Sequence, residues 1–347
     1  MNYDQIIVGQ GIAGTLLAIR LMHEGQKVLI LDNQHRTSSS ITAAGIINPI
    51  TGRHFTKSWK INELLPEARQ TYLKLEEDLG VELWNERNIL RTFHNALSDN
   101  LWNSKSDHPD YNPYIVSKPD LGDWLDKIHK PLGYGEIKGS AQVDLALLIQ
   151  KFRDQFKDVV IDDHFAYHEV RHFQNLVRYK GYQCRQLVFC EGAQVIYNPF
   201  FQYLPHRPVK GEALLIHLPG SEKLKMLRDR MFIAPMGKNR CWVGSGYDHA
   251  DLSHVPTKSA RQKILSFLDS LLLASYEIIE HKAAIRPAVI DRRPLLGKHP
   301  KLQNLYIFNG LGTKGASLAP YFSKSAVSLL LHNQQPDPEV DIQRFLL

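Results

Sequence analysis

Apolar and polar positions alternate along the chain in blocks that predict strands and helices in turn. An apolar run at residues 6–8 is followed by apolar positions at helical spacing from Leu16 to Leu21, and then by a second run at residues 28–31. Helical spacing buries one face of a helix, whereas short continuous apolar runs are typical of strands covered on both sides. The pattern predicts a strand, a helix that ends near Gly25, and a second, parallel strand.

Later blocks extend this arrangement. Apolar runs at residues 187–190 and 305–308 predict two more buried strands, and the second leads into a long helical pattern. Residues 58–133 show mainly helical spacing, and residues 231–247 predict two antiparallel strands joined by a glycine turn. Asp144 precedes an apolar helical pattern and is predicted to cap its N-terminus. The fold class expected from the pattern is α/β.

Three glycines stand between the first strand and the first helix. Gly9, Gly11 and Gly14 have the spacing Gly-x-Gly-x-x-Gly, which permits a tight turn, close approach of backbone to phosphates, and close packing of helix on strand. Ile12 and Ala13, between the last two glycines, are predicted to contact the ligand, and the helix that follows presents its positive N-terminus to the same point. The stretch predicts a site for the pyrophosphate of a dinucleotide, and a tight turn without a ligand is the alternative.

Asp32 stands at the end of the second strand, about 20 residues after the first glycine. A carboxylate there can accept hydrogen bonds from both hydroxyls of an adenosine ribose and disfavours a 2′-phosphate, so NADP is not expected. A turn aspartate at a strand end is the alternative interpretation.

A second glycine-rich helix start lies near the other end of the chain and comprises Gly310, Gly312, Thr313, Lys314 and Gly315. A helix N-terminus and a lysine ammonium group both stabilise negative charge. A single phosphate site does not need two such helix starts. A cofactor with a pyrophosphate at one end and a charge-accepting ring at the other would use both.

Composition limits the remaining possibilities. The 347 residues carry a net charge of +6 and are 43% hydrophobic, as expected of a globular protein with more than one domain. The apolar runs are too short to span a membrane and the first strand begins too early for a signal peptide, so we expect a cytoplasmic protein. The three cysteines lack zinc-like spacing, and a strand-like pattern would scatter His164, His168 and His172, so we predict no metal site.

Basic residues outnumber acidic ones by eight to three between His206 and Arg240. This basic stretch could attract an anionic substrate or RNA, but a solvated surface is the interpretation that we favour. A nucleic-acid partner is therefore not favoured.

Three segments together resemble a known family. The glycines at residues 9–14, Asp32, and the small-residue segment Ser-Ile-Thr-Ala-Ala-Gly at residues 40–45 resemble the D-amino acid oxidase superfamily of FAD-dependent oxidoreductases. The resemblance is closest to glycine oxidase and to the oxidase domain of the bifunctional enzyme that modifies the tRNA wobble uridine. It implies non-covalently bound FAD, held by a Rossmann-like domain beside a substrate domain with a mixed or antiparallel sheet. By position it implies FAD contacts from residues between the two glycine motifs: Asp32, Asn33, Thr42, Ala43, Ala44, Gly45, Ile46, Val170, Glu191 and Gly192.

The resemblance also implies a substrate site. Arg286 precedes a proline in the position of the family's arginine, whose planar guanidinium binds the substrate carboxylate through paired hydrogen bonds. An arginine paired with a neighbouring acid is the alternative. Glycine oxidase has a tyrosine in the position of Phe232, and Tyr247 could either replace it or pack in the core. Lys210 and Glu212 depart from the family's arginine and glutamine.

The resemblance implies an oxidoreductase that acts on an amino acid or N-substituted glycine. Hydride transfer from Cα to flavin N5 would give an imine that water hydrolyses, and oxygen or another acceptor would reoxidise the flavin. Arg286, Tyr247 and Lys314 are the predicted catalytic residues. The alternatives are an oxidase of a modified tRNA base and a flavin-binding protein without amine turnover.

We expect interleaved domains. Residues 1–57, 138–205 and 283–347 are assigned to the FAD-binding domain, and residues 58–137 and 206–282 to the substrate domain.

Overall fold

The computed structural model describes residues 1–34 and 38–346. Within these residues lie six α-helices: α1 (Ile12–His23), α2 (Ile61–Leu79), α3 (Ala96–Ser106), α4 (Leu145–Gln155), α5 (Lys258–Leu271) and α6 (Gly315–His332). The strands of the same residues are β1 (Asn2–Val8), β2 (Val28–Asp32), β3 (Ile46–Ile47), β4 (Ile50–Thr51), β5 (Thr56–Lys57), β6 (Trp84–Glu86), β7 (Ile89–Phe93), β8 (Ile115–Val116), β9 (Gly133–Ile137), β10 (Ala141–Val143), β11 (Val160–Asp162), β12 (Val170–His172), β13 (Val177–Tyr179), β14 (Tyr182–Phe189), β15 (Val209–His217), β16 (Met226–Arg228), β17 (Phe232–Pro235), β18 (Arg240–Gly244), β19 (Glu277–Arg286), β20 (Leu295–Lys298) and β21 (Leu305–Asn309).

The first large sheet is built around the predicted strand–helix–strand unit. Its strands run in the order β11-β2-β1-β14-β13-β12, and the second half of β14 also pairs with β21, which pairs with β20. Five neighbouring strands of this sheet run parallel to one another, as expected of a nucleotide-binding sheet: β11, β2, β1, β14 and β21. The expected parallel strands are confirmed.

Alternating side chains of the first sheet enter two separate cores. Ile7 and Ile30 pack with α1, α2, α4 and α6 on one face, whereas Ile6 and Val8 pack with β13 and residues 195–204 on the other. Successive residues of a strand point to opposite faces of the sheet. Because both faces of this sheet are buried, successive residues must all be apolar. This requirement explains the continuous apolar runs in the sequence.

The predicted end of α1 at Gly25 and the predicted start of α4 at Asp144 are confirmed, whereas residues 58–133, read as mainly helical, also contain the strands β6, β7 and β8. Gly25, just beyond α1, has a φ of +72°, and glycine adopts this left-handed conformation more easily than other residues. Asp144 accepts a hydrogen bond from the Leu147 N–H (2.9 Å), which caps α4 as expected.

The second large sheet has the order β19-β15-β18-β17-β16-β7-β9-β8. One face packs against α5, through residues such as Ile216 and Phe267. The opposite face, which we call the site face, packs against residues 44–55 through Met226, Ala234 and Trp242. The site face is therefore turned toward the small-residue segment that follows the first sheet.

The division of the chain into two domains stays a prediction. Helix α2 lies in the part assigned to the substrate domain, but it packs against α1 and α6 of the first sheet. Arg20 of α1 pairs with Glu67 of α2 (2.9 Å), and the Tyr72 hydroxyl donates to the Ala316 carbonyl (2.8 Å). Strand β19 likewise continues past the expected boundary at residue 283.

Candidate active site

The loop between β1 and α1 is shaped by close backbone contacts. Gly9 has a φ of +97°, and a Cβ atom there would lie 2.6 Å from the Cys190 carbonyl oxygen. A Cβ atom at Gly14 would overlap the carbonyl oxygen of Gly9. Gly11 has more room, since the nearest atom to its Cβ position is the Ser40 hydroxyl at 3.4 Å. Gly9 and Gly14 are thus required by packing, and Gly11 leaves the backbone open to a ligand.

Asp32 lies beside this loop and is largely buried, with 8% of its surface exposed. Its carboxylate accepts hydrogen bonds from the Gln10 N–H and from Arg153, each at 2.9 Å. Arg153 also pairs with Asp162 and donates to the Gln10 side chain. These contacts orient the Asp32 carboxylate beside the glycine turn. Its contact with a ribose stays a prediction.

Two of the residues expected near the adenosine end, Glu191 and Gly192, directly follow β14. Glu191 accepts hydrogen bonds from the Tyr167 hydroxyl (2.6 Å) and the Asn198 amide (2.7 Å), so its carboxylate is already engaged by protein groups. Gly192 has a φ of +60° and open space at its Cβ position, and the third residue, Val170, is the first residue of β12. Contacts of these three residues with FAD stay a prediction.

Burial raises the pKa of Glu191 from 4.5 to about 7, although the hydrogen bonds from Tyr167 and Asn198 act in the opposite direction. The folded protein therefore holds a proton on Glu191 between pH 4.5 and 7 that the unfolded chain has released. The resulting stabilisation is complete below pH 4.5 and disappears as the pH rises to 7.

We expect Glu191→Gln to remove this pH dependence. The free energy of unfolding of the wild type should fall relative to the variant by about 3 kcal/mol between pH 4.5 and pH 7. Urea denaturation of both proteins across this range measures the difference. Parallel pH profiles would show that Glu191 titrates normally in the folded state.

The small-residue segment joins the two large sheets. Gly45 has a φ of +66°, and a Cβ atom there would overlap the Val143 carbonyl oxygen, so β10 requires glycine at this position. The Thr42 carbonyl accepts a hydrogen bond from the Trp242 indole (3.0 Å). Ala44 is buried in the core below the site face, whereas Ala43 is exposed and Ile46 begins β3. The segment therefore presents backbone and small side chains at the edge of the site face.

The second glycine-rich helix start lies against the first. A Cβ atom at Gly315 would lie 3.3 Å from the Ile12 side chain, so the N-termini of α1 and α6 are neighbours. The Gly312 N–H donates to the Pro287 carbonyl (3.1 Å), which ties this loop to the end of β19. Gly310 has a φ of +76°, and Thr313 is exposed.

Lys314 precedes the first residue of α6, and its ammonium group lies 3.3 Å from the Ser58 hydroxyl. Burial, followed by the positive charges of Arg293 and Arg292, lowers the pKa of Lys314. A partly desolvated cation at a helix N-terminus stabilises negative charge on a ligand more strongly than an exposed one.

Arg286 ends β19 and points across the site face. Its guanidinium donates to the Ser245 hydroxyl and to the Gly246 carbonyl (3.2 Å). It has no acidic partner within ion-pairing distance among residues 1–34 and 38–346, which argues against the structural alternative of an arginine paired with a neighbouring acid. The guanidinium also crosses Gly211 so closely that a Cβ atom there would overlap it.

We expect Gly211→Ala to displace Arg286 without unfolding the protein. The obstructed group is the end of a flexible side chain, so it can move away at little cost to stability. The KM for a carboxylate-bearing substrate should rise by roughly 10- to 100-fold, the cost of weakening a charged hydrogen-bond pair. The melting temperature should stay close to that of the wild type. A normal KM would show that the orientation of Arg286 does not matter.

The sequence interpretation of Tyr247 needs correction. Strand β18 ends at Gly244, so Tyr247 lies in the following loop rather than in the strand. Its side chain is not core, because 70% of its surface is exposed. The Arg286 guanidinium lies 4.9 Å from the centre of its ring, within cation–π distance. Tyr247 thus covers Arg286 from the solvent side.

The basic stretch between His206 and Arg240 is not a single solvated surface. The Lys210 side chain is fully buried and donates to Asp251 (2.5 Å) and to the Val255 carbonyl. Lys225 pairs with Glu136 (2.9 Å). Glu212 accepts from the Thr257 N–H (2.7 Å) at the start of α5. Lys210 and Glu212, which depart from the family pattern, therefore fasten the loop that carries Tyr247.

Several residues near the site carried no signal in the sequence: Gln10, Arg91, Arg153, Arg228 and Trp242. Arg153 occupies an ordinary helical position, and its proximity to Asp32 depends on the packing of α4 beside β2. Arg53 and His54, a basic pair to which the sequence assigns no role, are exposed between β4 and β5.

Two further observations concern the described residues as a set. In the described residues, no group of three or more histidine, cysteine or acidic side chains is placed to hold a metal ion. A search of the same residues finds no helix both long enough and apolar enough to cross a membrane.

The donor set fits FAD. A glycine turn open at Gly11 and the N-terminus of α1 suit the pyrophosphate, and Asp32 suits the ribose. The segment at residues 42–46, the N-terminus of α6 and Lys314 are available to the ring system.

Comparison with known proteins agrees with this geometry. Residues 4–329 match the family described as FAD dependent oxidoreductase (DAO). The chain is 23% identical to glycine oxidase of Bacillus licheniformis, covering 96% of this chain and 94% of that protein. It is also 23% identical to the tRNA 5-methylaminomethyl-2-thiouridine biosynthesis bifunctional protein of Leptospira interrogans, but it spans only 58% of that protein.

Among solved structures, glycine oxidase of Geobacillus kaustophilus has a similar fold. The TM-score is 0.80, and the match covers 99% of this chain and 98% of that chain at 20% identity. The expected fold class, the resemblance to the superfamily and the FAD cofactor are thereby confirmed. The chain belongs to the DAO family of FAD-dependent oxidoreductases.

Proposed function

We propose that the protein oxidises the C–N bond of an amino acid or N-substituted glycine whose carboxylate is bound by Arg286. The proposal rests on the burial of the Arg286 side chain and on its hydrogen-bond partners. Arg286 is half-buried at the edge of the site face and has no carboxylate partner among the described residues. A partly desolvated guanidinium without a counter-ion is electrostatically suited to bind an anionic ligand.

Neighbouring groups support the same role. The Ser245 hydroxyl and the Gly246 carbonyl fix the guanidinium, and the Tyr247 ring lies against it. The contact between Gly312 and Pro287 keeps the end of β19 beside the N-terminus of α6. A carboxylate on Arg286 would therefore place the adjacent Cα near the loops assigned to the cofactor ring.

When bound, FAD would supply the oxidising power by taking up a hydride, that is two electrons and one proton, from Cα. The chain's residues bind and orient the substrate: Arg286 holds the carboxylate, and Tyr247 limits access of water to that contact. Lys314 and the N-terminus of α6 stabilise the negative charge that arrives with the electrons. The amine binds unprotonated, so no protein base is needed at Cα, and water hydrolyses the released imine.

Relatives support a small amine substrate, since one is named glycine oxidase. The alternative of a modified tRNA base draws on the bifunctional relative and on the basic stretch. Lys210 is buried and Lys225 is paired with Glu136, so these two of the eight basic residues are not available to a nucleic acid. We therefore favour the small amine.

Anaerobic titration of the FAD-loaded protein with a panel of amino acids and N-substituted glycines tests the proposal. We expect at least one of them to bleach the visible absorption band of the oxidised flavin. Bleaching by a tRNA bearing the modified base, but by none of the small amines, would favour the alternative substrate. A flavin that no amine bleaches would contradict the proposed activity.

A further inference from the structure

Two further arginines share the site face with Arg286. Within the sheet, Arg91 of β7 is paired with Arg228 of β16, Arg228 with Phe232 of β17, and Phe232 with Gly244 of β18. Residues directly opposite each other in a sheet point to the same face. Arg91, Arg228 and Phe232 therefore form a row that ends beside Gly244, next to the Ser245 hydroxyl that holds Arg286.

The row is short enough for one small ligand to contact both ends. Neighbouring strands lie about 4.8 Å apart, so the backbone of Arg228 is roughly 10 Å from that of Gly244. Long arginine side chains can cover much of that separation. Burial lowers the pKa of Arg228 and of Arg286, and the neighbouring Tyr247 acts in the opposite direction on both. The Tyr247 ring, 4.9 Å from the Arg286 guanidinium, therefore lies between the two ends of the row.

Neither Arg91 nor Arg228 has a carboxylate partner within ion-pairing distance in the parts of the chain that the structure describes. Arg91 donates to the Asp229 backbone carbonyl (3.2 Å), and Arg228 donates to the Arg230 carbonyl. The Asp229 side chain pairs instead with His94 (2.9 Å) and Arg230 (3.5 Å). The Nε atom of Arg91 is buried and has no hydrogen-bond partner.

Each of the two arginines also lies against an aromatic ring. The Arg228 guanidinium lies 4.9 Å from the centre of the Phe232 ring, and that of Arg91 lies 5.8 Å from the centre of the Phe55 ring. Aromatic rings hold the guanidinium planes without neutralising their charge. Glu136 and Glu212, the acidic residues of β9 and β15, belong to sheet positions that point to the opposite face.

We propose that the substrate carries a second oxyanion group, a carboxylate or a phosphate, which Arg228 and Arg91 bind while Arg286 holds the α-carboxylate. The site face would then select acidic amines, such as a dicarboxylic amino acid or an N-carboxymethyl amino acid, over glycine itself. The inference rests on the proposed function, because that function assigns the first carboxylate to Arg286. The Asp229 carboxylate lies near both guanidinium groups but is already paired with His94 and Arg230, so an anionic ligand would supply the further negative charge that the two arginines attract.

Matched ligands test the inference in the wild-type holoenzyme. Iminodiacetate differs from sarcosine by a carboxylate in place of a hydrogen on the N-methyl group, and N-(phosphonomethyl)glycine offers a phosphonate at the same place. We expect kcat/KM for one of these two acidic amines to exceed that for sarcosine by about 10-fold or more, as for an added charged hydrogen bond. The preferred acid identifies the group as carboxylate or phosphate.

Binding without turnover separates this inference from the proposed function. Titration of the flavin spectrum with succinate and butyrate compares two four-carbon acids that differ in their second carboxylate, and titration with 3-phosphonopropionate supplies the phosphonate counterpart. We expect one diacid to bind about 10-fold more tightly than butyrate. Such binding without bleaching by any amine would support the second anion site and contradict the proposed oxidation.

Substitutions of Arg228 and Arg91 test whether these two residues cause the preference for a diacid. Arg228→Met and Arg91→Met should each remove most of the preference for the diacid, and Arg228→Lys should keep part of it. Arg185→Met is the matched control, since that exposed side chain belongs to β14 of the first sheet and pairs with Asp4. Equal binding of diacids and butyrate in the wild type would overturn the inference even if the variants fail to fold. A preference that survives in Arg228→Met and Arg91→Met would overturn it as well.

Discussion

Replacing Arg286 by methionine should lower kcat/KM for a carboxylate-bearing amine by roughly 100- to 1000-fold. A bidentate charged pair contributes about 3–4 kcal/mol, and each 1.4 kcal/mol corresponds to a factor of ten. Methionine keeps much of the side-chain length without the charge, so the surrounding loop should remain in place. Steady-state kinetics with the preferred amine of the panel measures the loss.

Three comparisons identify the cause of that loss. Arg286→Lys keeps the charge but not the paired geometry and should fall between the wild type and Arg286→Met. Arg185→Met removes an exposed arginine that pairs with Asp4, and it should leave kcat/KM unchanged. The FAD content of all three variants should equal that of the wild type. An unchanged kcat/KM in Arg286→Met would assign this arginine to structure alone.

Gly14→Ala should have the largest effect on stability. The added methyl group would overlap the backbone carbonyl of Gly9, and neither backbone can move without separating α1 from β1. We expect a loss of about 3 kcal/mol or more in the free energy of unfolding, together with a loss of bound FAD. Urea denaturation and the flavin absorbance of the purified protein measure the two effects.

Gly181→Ala is the matched control for this substitution. Gly181 lies between β13 and β14 with no atom within 4 Å of its Cβ position and a φ outside the left-handed region. Its replacement should change stability by no more than about 0.5 kcal/mol. If both alanine variants unfold at the same urea concentration, the close contact between Gly14 and Gly9 is not what shapes this loop.

The features that the sequence predicts well are local. The turn after β1 needs its glycines within a few residues of one another, and the apolar runs of β1 and β2 reflect burial on both faces of one sheet. The cap at Asp144 likewise depends on an N–H only three residues away. Residues that must interact within a few positions of one another produce a spacing that can be recognised in the sequence alone.

The features that sequence analysis missed depend on contacts between distant segments. Arg91 and Arg228 become neighbours only because β7 and β16 pair in the second sheet. The basic stretch gave no sign that Lys210 is buried, because the acid that neutralises it, Asp251, belongs to a later loop. The apolar residues Cys241, Trp242 and Val243 predict a strand that continues to Tyr247, whereas β18 ends three residues earlier, at Gly244.

The most direct test of the account is the substrate isotope effect on anaerobic flavin bleaching. In the proposed reaction, the Cα–H bond of the amine bound at Arg286 breaks as the flavin is reduced. Substrate deuterated at Cα should therefore bleach the flavin several-fold more slowly than the unlabelled substrate, with the same FAD content and the same saturating concentration. Bleaching at equal rates, in a reaction limited by neither binding nor product release, would contradict oxidation of the C–N bond at this site.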